Sequence, residues 1–176
     1  MSPQNLSLFW SIPRDGVAVE VAEFFVSNVD VDYISHQEIQ CGRALSVAQW
    51  APDLREMLIS EVQEIWNFGG DTDCKKGMVE ARIGTTLVGM AIVTWHPNAR
   101  TPYAWGEDMV VCRDEREKGA GRQMMKWIEA ELLKKGIRQL FLESGQANQK
   151  AHAVFERSGF STCSVVMMKS LDSEDQ

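Results

Sequence analysis

The stretch "RDEREKGAGRQMMKWIEAELLKKG", residues 113–136, joins a charged turn, a Gly119-Ala120-Gly121 step and an amphipathic run. Met124, Ile128 and Leu132 recur every four residues, with Met125 and Leu133 beside them, which is the spacing of one buried helix face; Gly136 is its stop. The helix therefore opens on two glycines among Arg116, Lys118 and Arg122. The first N–H groups of a helix lack intrahelical partners and carry partial positive charge. Glycine lets the backbone approach an anion closely, and basic side chains add charge-assisted contacts. Alone, a G-x-G step reads more simply as a flexible turn. It is neither of two familiar phosphate loops: G-x-x-x-x-G-K-[ST] is absent, and Met124 stands where G-x-G-x-x-G needs its third glycine.

Outward from this stretch, strand and helix patterns alternate. "LSLFWSI" before Pro13 predicts a first strand, and "DGVAVEVAEFFVSN" a helix through Val17, Val21, Phe24 and Phe25. "SHQEIQCGRALSVAQW" reads as a further short helix. "APDLREMLISEVQEIWNFGG" predicts a longer one, started by Pro52 and Asp53 and stopped by Gly69 and Gly70. "MVEARIGTTLVGMAIVTWHP" reads as a hairpin turning at Gly84-Thr85-Thr86, and "YAWGEDMVVC" as the next strand. Past the amphipathic helix, the unbroken Leu140-Phe141-Leu142 suits a central strand covered on both faces. "NQKAHAVFERSG" predicts a short helix capped by Asn148 and stopped by Gly159, and "FSTCSVVMMKS" a last strand.

The 176 residues, 44% hydrophobic and 24% charged, suit one globular domain with a core large enough to need no disulfide or structural metal. A net charge of -7 weighs against a nucleic-acid partner, which would need a basic footprint, and mildly favours cationic ones. Cys41, Cys74, Cys112 and Cys163 form no C-x-x-C pair, and His36, His96 and His152 have no metal-ligand spacing, so no metal site is expected. "MSPQNLSLFW" lacks the pattern of a secretory signal and no apolar run is long enough to span a bilayer; the expected location is the cytoplasm, without a membrane partner.

Taken together, "EDMVVCRDEREKGAGRQMMKWIEAELLKKGIRQLFLES" and the following "ANQKAHAVFERSGF" resemble the acetyl-CoA-binding core of the GNAT N-acetyltransferase superfamily, over roughly Met78 to Lys169. The resemblance implies an α/β fold with a mixed, mostly antiparallel central sheet, flanked by helices and splayed at the acyl-CoA site. It implies a single N-acetyltransferase domain over 1–176: a strand plus helices shaping the acceptor site (1–75), the acetyl-CoA-binding core (76–170) and a flexible acidic tail (171–176).

The family's R/Q-x-x-G-x-G/A signature falls on Arg116, Gly119 and Gly121, with Glu117 where glycine is frequent. By that likeness the turn of Arg116, Lys118, Gly119, Ala120, Gly121 and Arg122 cradles the CoA pyrophosphate. The main chain of Met109, Val110 and Val111 binds the pantetheine arm, and a local bulge splays this strand from the one at Leu140. An N–H of Val111 or Val110 stabilises the oxyanion, and Asn148 stands near the cofactor. Phe155 occupies the place where many members carry a tyrosine that protonates the leaving thiolate; here it offers packing but no hydroxyl.

Acetyl-CoA is thus the expected co-substrate and a primary amine the expected acceptor, a small cationic molecule first. Protein lysine or N-terminal amines, or a non-catalytic acyl-CoA-binding module, are the alternatives, and a homodimer is compatible with each. Attack needs a neutral amine and hence a general base. Glu107 and Glu143 are the candidates, with period-two alternation placing Glu107 on the face opposite Asp108. Trp10, Trp50, Trp66, Trp95 and Trp105 offer faces to a cation if they are not core. Glu56, Glu61, Glu64, Asp71 and Asp73 offer counter-charge if they are not a solvated face. Cys112 is the nucleophile if a covalent step exists, and a buried small side chain otherwise.

Overall fold

The computed structural model describes residues 6–67 and 73–171. Its main sheet runs in the order β1 (Leu6–Trp10), β4 (Lys75–Ile83), β5 (Thr86–His96), β6 (Tyr103–Val111), β7 (Gln139–Leu142). Neighbours are antiparallel except β6 and β7, which are parallel. β4 and β5 meet at Gly84-Thr85, where Ile83 faces Thr86 and Gly84 takes φ 60, a conformation that costs glycine little.

Helices cover both faces. α1 (Val17–Asn28) and α3 (Leu54–Asn67) bring Val21, Phe25, Leu58 and Val62 onto Met78, Met90, Ile92 and Val110. α4 (Ala120–Lys134) brings Met124, Ile128 and Leu132 onto Val79, Ala91 and Val93. β4 and β5 are therefore apolar at successive positions, as strands buried on both sides must be. Each fully buried side chain of this size contributes about 1.5–3 kcal/mol. Among the described residues no helix is long and apolar enough to cross a membrane.

The most deeply buried charged group sits on β4. Glu80 on β4 is wholly buried, hydrogen-bonded by Ser11 (2.6 Å), by Arg14 and by Arg82 Nε (2.7 Å), so the chain leaving β1 is tied down on β4.

Four sequence expectations change. The segment after Ser35 is a five-residue helix, α2 (His36–Gln40), followed by a small hairpin of β2 (Ala44–Ser46) and β3 (Gln49–Trp50). Leu133 is 56% exposed: α4 turns it past the buried stripe. β7 is an edge strand, half-buried at Leu140, Phe141 and Leu142, because only β6 pairs with it among the described residues. The last strand is not formed. Residues 161–171 carry no regular element and expose Val165 (83%) and Met167 (91%); β-branched residues favour a strand only where a neighbouring edge receives their backbone hydrogen bonds. The Gly69-Gly70 stop lies outside the described residues, as does most of the acidic tail.

Candidate active site

The pairing of β6 with β7 runs from Tyr103 opposite Gln139 to Gly106 opposite Leu142 and stops there. β6 continues to Val111 against β5 alone. At the same point its register with β5 shifts: Ile92 faces Asp108 but Val93 faces Gly106, so Glu107 is an extra residue. A bulge of this kind bends its strand and ends regular pairing. It also cancels the alternation that would set Glu107 and Asp108 on opposite faces. Glu107 reaches Thr94 and Lys76 while Asp108 reaches Arg43 and Tyr33, all on the α1/α3 side of the sheet.

Main-chain directions follow from one bond. Cys112 N–H donates to Val88 O of β5 (2.9 Å). Alternation in an antiparallel pair then turns the Val110 N–H toward β5, and those of Met109 and Val111 toward the gap. The Met109 N–H indeed donates to Tyr33 Oη (3.2 Å) on that side. Of the three residues expected beside a pantetheine arm, Val110 is buried in the core and Met109 and Val111 present the open edge.

The glycine turn opens beside this edge. A 3-10 segment, Arg113–Lys118, leads into Gly119 at φ 89, and the first helical bond of α4 is Gln123 N–H to Gly119 O (3.0 Å). The N–H groups of Ala120, Gly121 and Arg122 are thus left without intrahelical acceptors. A Cβ on Gly121 would lie 3.5 Å from Val111 Cγ2 and 3.6 Å from Met109 Cε, so this turn sits directly on the end of β6. Arg116 fastens the turn instead of facing outward: its Nε donates to Val111 O (3.0 Å) and its Nη2 to Asn28 O at the end of α1. Lys118 pairs with Glu115 (2.9 Å), and Arg122 is exposed.

On the α1/α3 side a chain of charges runs beneath the bulge. Asp108 accepts from both terminal nitrogens of the buried Arg43 (2.8 and 3.1 Å) and from the Tyr33 hydroxyl (2.8 Å). Arg43 lies 3.7 Å from Glu61; Glu61 accepts from Lys76 (3.0 Å); Lys76 pairs with Glu107 (2.6 Å), which also accepts from Thr94. Burial acts to lower the Lys76 pKa, but the charges of Glu61 and then Glu107 outweigh it and hold the ammonium above its usual value. Arg43 is treated alike: burial opposes its charge, and Asp108 more than restores it. Burial first, then the Asp108 charge, push the Tyr33 phenol well above its ordinary range, so it stays protonated at neutral pH. Three carboxylates thus face two cations.

Glu143, directly after β7, lies across the gap and is held from the other side: by Ser35 Oγ, by Gln37 N–H (3.2 Å) and by His36 Nδ1 (3.2 Å). The two base candidates therefore occupy opposite lips, Glu107 toward α3 and Glu143 toward α2. Asn148 caps α5 (Gln149–Arg157) by accepting from Ala151 N–H (3.3 Å), and Phe155 meets Phe160 edge-on, 6.0 Å between centroids.

The tryptophans divide. Trp10, Trp66 and Trp95 line a cleft of about 310 Å³ that Lys76 also borders, but Lys135 already stands over Trp10 (5.5 Å) and Trp95 (5.1 Å). Trp50 packs in an aromatic group with Phe25 and Tyr33, and Trp105 leans on Phe141. Glu61 belongs to the charge chain and is no solvated helix residue; Asp71 lies outside the described residues.

Sequence reasoning missed Tyr33, Arg43, Lys76, Thr94 and the Ser35–His36 pair. Tyr33 had one faint signal, as one of only two tyrosines in the chain. The others are common polar residues that become a site only through contacts distant in sequence.

A model of the acetyltransferase (GNAT) family matches residues 43–160. No curated protein matches in sequence. Among solved structures, a transcriptional regulator from Bacillus halodurans C-125 is 16% identical with a TM-score of 0.68, the match covering 95% of this chain and 100% of that one. A ribosomal-protein-alanine N-acetyltransferase from Brucella melitensis biovar Abortus 2308 is 15% identical with a TM-score of 0.65, covering 95% and 100%. An aminoglycoside N-acetyltransferase solved in complex with CoA is 12% identical with a TM-score of 0.64, covering 97% and 98%. At these identities the likeness is one of fold.

Proposed function

Since the chain belongs to the acetyltransferase (GNAT) family, we propose that it moves an acetyl group from acetyl-CoA directly to a primary amine, with a small cationic molecule as acceptor. The observation that carries this reading is the edge of β6 left without a strand partner past Gly106, at whose end the Gly119 turn presents N–H groups that lack intrahelical acceptors. The residues suit the co-substrate. The turn would hold the pyrophosphate, and Met109 and Val111 would hydrogen-bond the pantetheine arm as a strand-like ligand.

Bound acetyl-CoA supplies the activated acyl group. Glu107 takes a proton from the acceptor ammonium, directly or through water. The freed nitrogen attacks the thioester carbonyl and the C–N bond forms, giving a tetrahedral intermediate whose negative charge falls on the carbonyl oxygen. Collapse breaks the C–S bond; the nitrogen gives up its second proton to solvent to leave the neutral amide, and the CoA thiolate takes one from solvent, since Phe155 offers none. The excess carboxylate beneath the bulge favours a cationic acceptor. The four unpaired cysteines accord with a reducing, cytoplasmic setting.

The test is a thiol-release screen with acetyl-CoA across polyamines, amino sugars, amino acids and peptides, beside calorimetry with CoA. Turnover with a small amine is expected. Turnover with peptides alone would redirect the reading to protein amines, and silence with all of them despite CoA binding would leave a binding module.

A further inference from the structure

Residues 33–37 touch both lips of the gap. At one lip, Tyr33 Oη accepts from Met109 N–H (3.2 Å) and donates to Asp108 (2.8 Å). At the other, Ser35 Oγ, Gln37 N–H and His36 Nδ1 converge on Glu143. Between them Ile34 is buried, and the carbonyls of Asp32 and Ile34 press so closely on Gly145 that a Cβ there would collide with them. The segment therefore bridges β6 and the end of β7 at the place where their own pairing has ceased.

We infer that residues 33–37 form a strap across the gap, and that acyl-CoA must take the Met109 N–H from Tyr33 in order to bind. This rests on the acyl-CoA reading above. A strand-like ligand on the open edge of β6 needs the gap-side donors of Met109 and Val111, and one N–H does not serve two acceptors at full strength. Tyr33 is built to let go without leaving. Its donor bond to Asp108 is independent of Met109, Asp108 is fixed by Arg43, and the Tyr33 ring packs against Phe25 (5.4 Å) and Trp50 (6.2 Å).

Tyr33→Phe keeps the ring and removes only the hydroxyl. The free protein then loses the bond that CoA would displace, so CoA should bind about two- to tenfold tighter by calorimetry, the equivalent of one net hydrogen bond. Without any CoA, the Met109 amide should exchange with deuterium faster in this variant; in the unsubstituted protein, adding CoA should reduce protection over residues 33–37. Ser35→Ala loosens the other end and should also tighten CoA, while weaker binding there would overturn the bridge to Glu143. Equal or weaker CoA binding by Tyr33→Phe overturns the strap. If the unsubstituted protein binds no CoA, the acyl-CoA reading itself falls and takes the strap with it; if it binds CoA and the strap does not respond, the strap alone falls.

Discussion

Replacing Glu107 with glutamine separates its contact with Lys76, which the structure shows, from the base role proposed for it. Glutamine keeps the size and an oxygen for the Thr94 hydroxyl but loses the charge facing Lys76 and the capacity to take a proton. As a mere counter-ion Glu107 contributes little. The side chains of Lys76 and Glu107 are 24% and 16% exposed, and Lys76 keeps Glu61 as a second partner, so the loss is about 1 kcal/mol, roughly fivefold in any rate it touches. As general base its removal costs on the order of 10²–10⁴ in rate. The assay is kcat/KM for thiol release against pH in the unsubstituted protein, Glu107→Gln and Glu61→Gln. Glu107→Gln is expected to fall at least about 100-fold, with a rate that keeps climbing with pH as free amine accumulates. Glu61→Gln removes the other carboxylate from Lys76 and should stay within about tenfold. A Glu107→Gln protein within tenfold and with an unaltered pH profile would refute the assignment.

Other outcomes follow from the same coordinates. Gly121→Trp should abolish CoA binding in calorimetry, whereas Gly121→Ala, whose Cβ meets only ordinary contacts, should leave the fold intact. Glu80→Gln leaves Arg14 and Arg82 without their shared carboxylate and should lower unfolding free energy by about 3 kcal/mol in urea titration, the low end for a buried pair because Arg14 can turn to water. Burial raises the Glu80 pKa, but hydrogen bonds from Ser11, Arg14 and Arg82 outweigh it and leave it lowered. Its contribution is therefore present above about pH 4.5, the unfolded value, and lost as pH falls through the folded one; the glutamine variant should show a flatter acid limb. Phe155→Tyr, which restores a hydroxyl where the family commonly has one, should raise turnover; an unchanged rate would mean that solvent protonates the thiolate fast enough.

The parts legible in the sequence are those encoded locally. The α4 stripe, the Gly84 turn, the Asn148 cap and the Gly119 step each lie within a few residues of the feature they produce, and each stands where the pattern puts it. The misplacements at β7 and residues 161–171 share one cause: strand propensity says nothing about whether a neighbouring edge is present to receive the hydrogen bonds. The charge chain was hidden differently. Arg43, Glu61, Lys76 and Asp108 come from four separate elements or connections, and no spacing rule links them. The motif singles out Glu107, but alternation separates it from Asp108, which the structure sets on the same side, because a bulge leaves no trace in a period-two pattern.

That single inserted residue makes β6 two half-strands, each in step with β5 but out of step with one another by one position. A deletion at position 107 would therefore matter more than any substitution there. It would put Gly106 and Asp108 on one continuous ladder, allow β6 to run straight alongside β7, and zip closed the cleft proposed to receive the acyl group. Among relatives of this chain, a one-residue gap at that place is a cheap diagnostic: sequences that carry it are expected to keep the sheet and lose the catalyst.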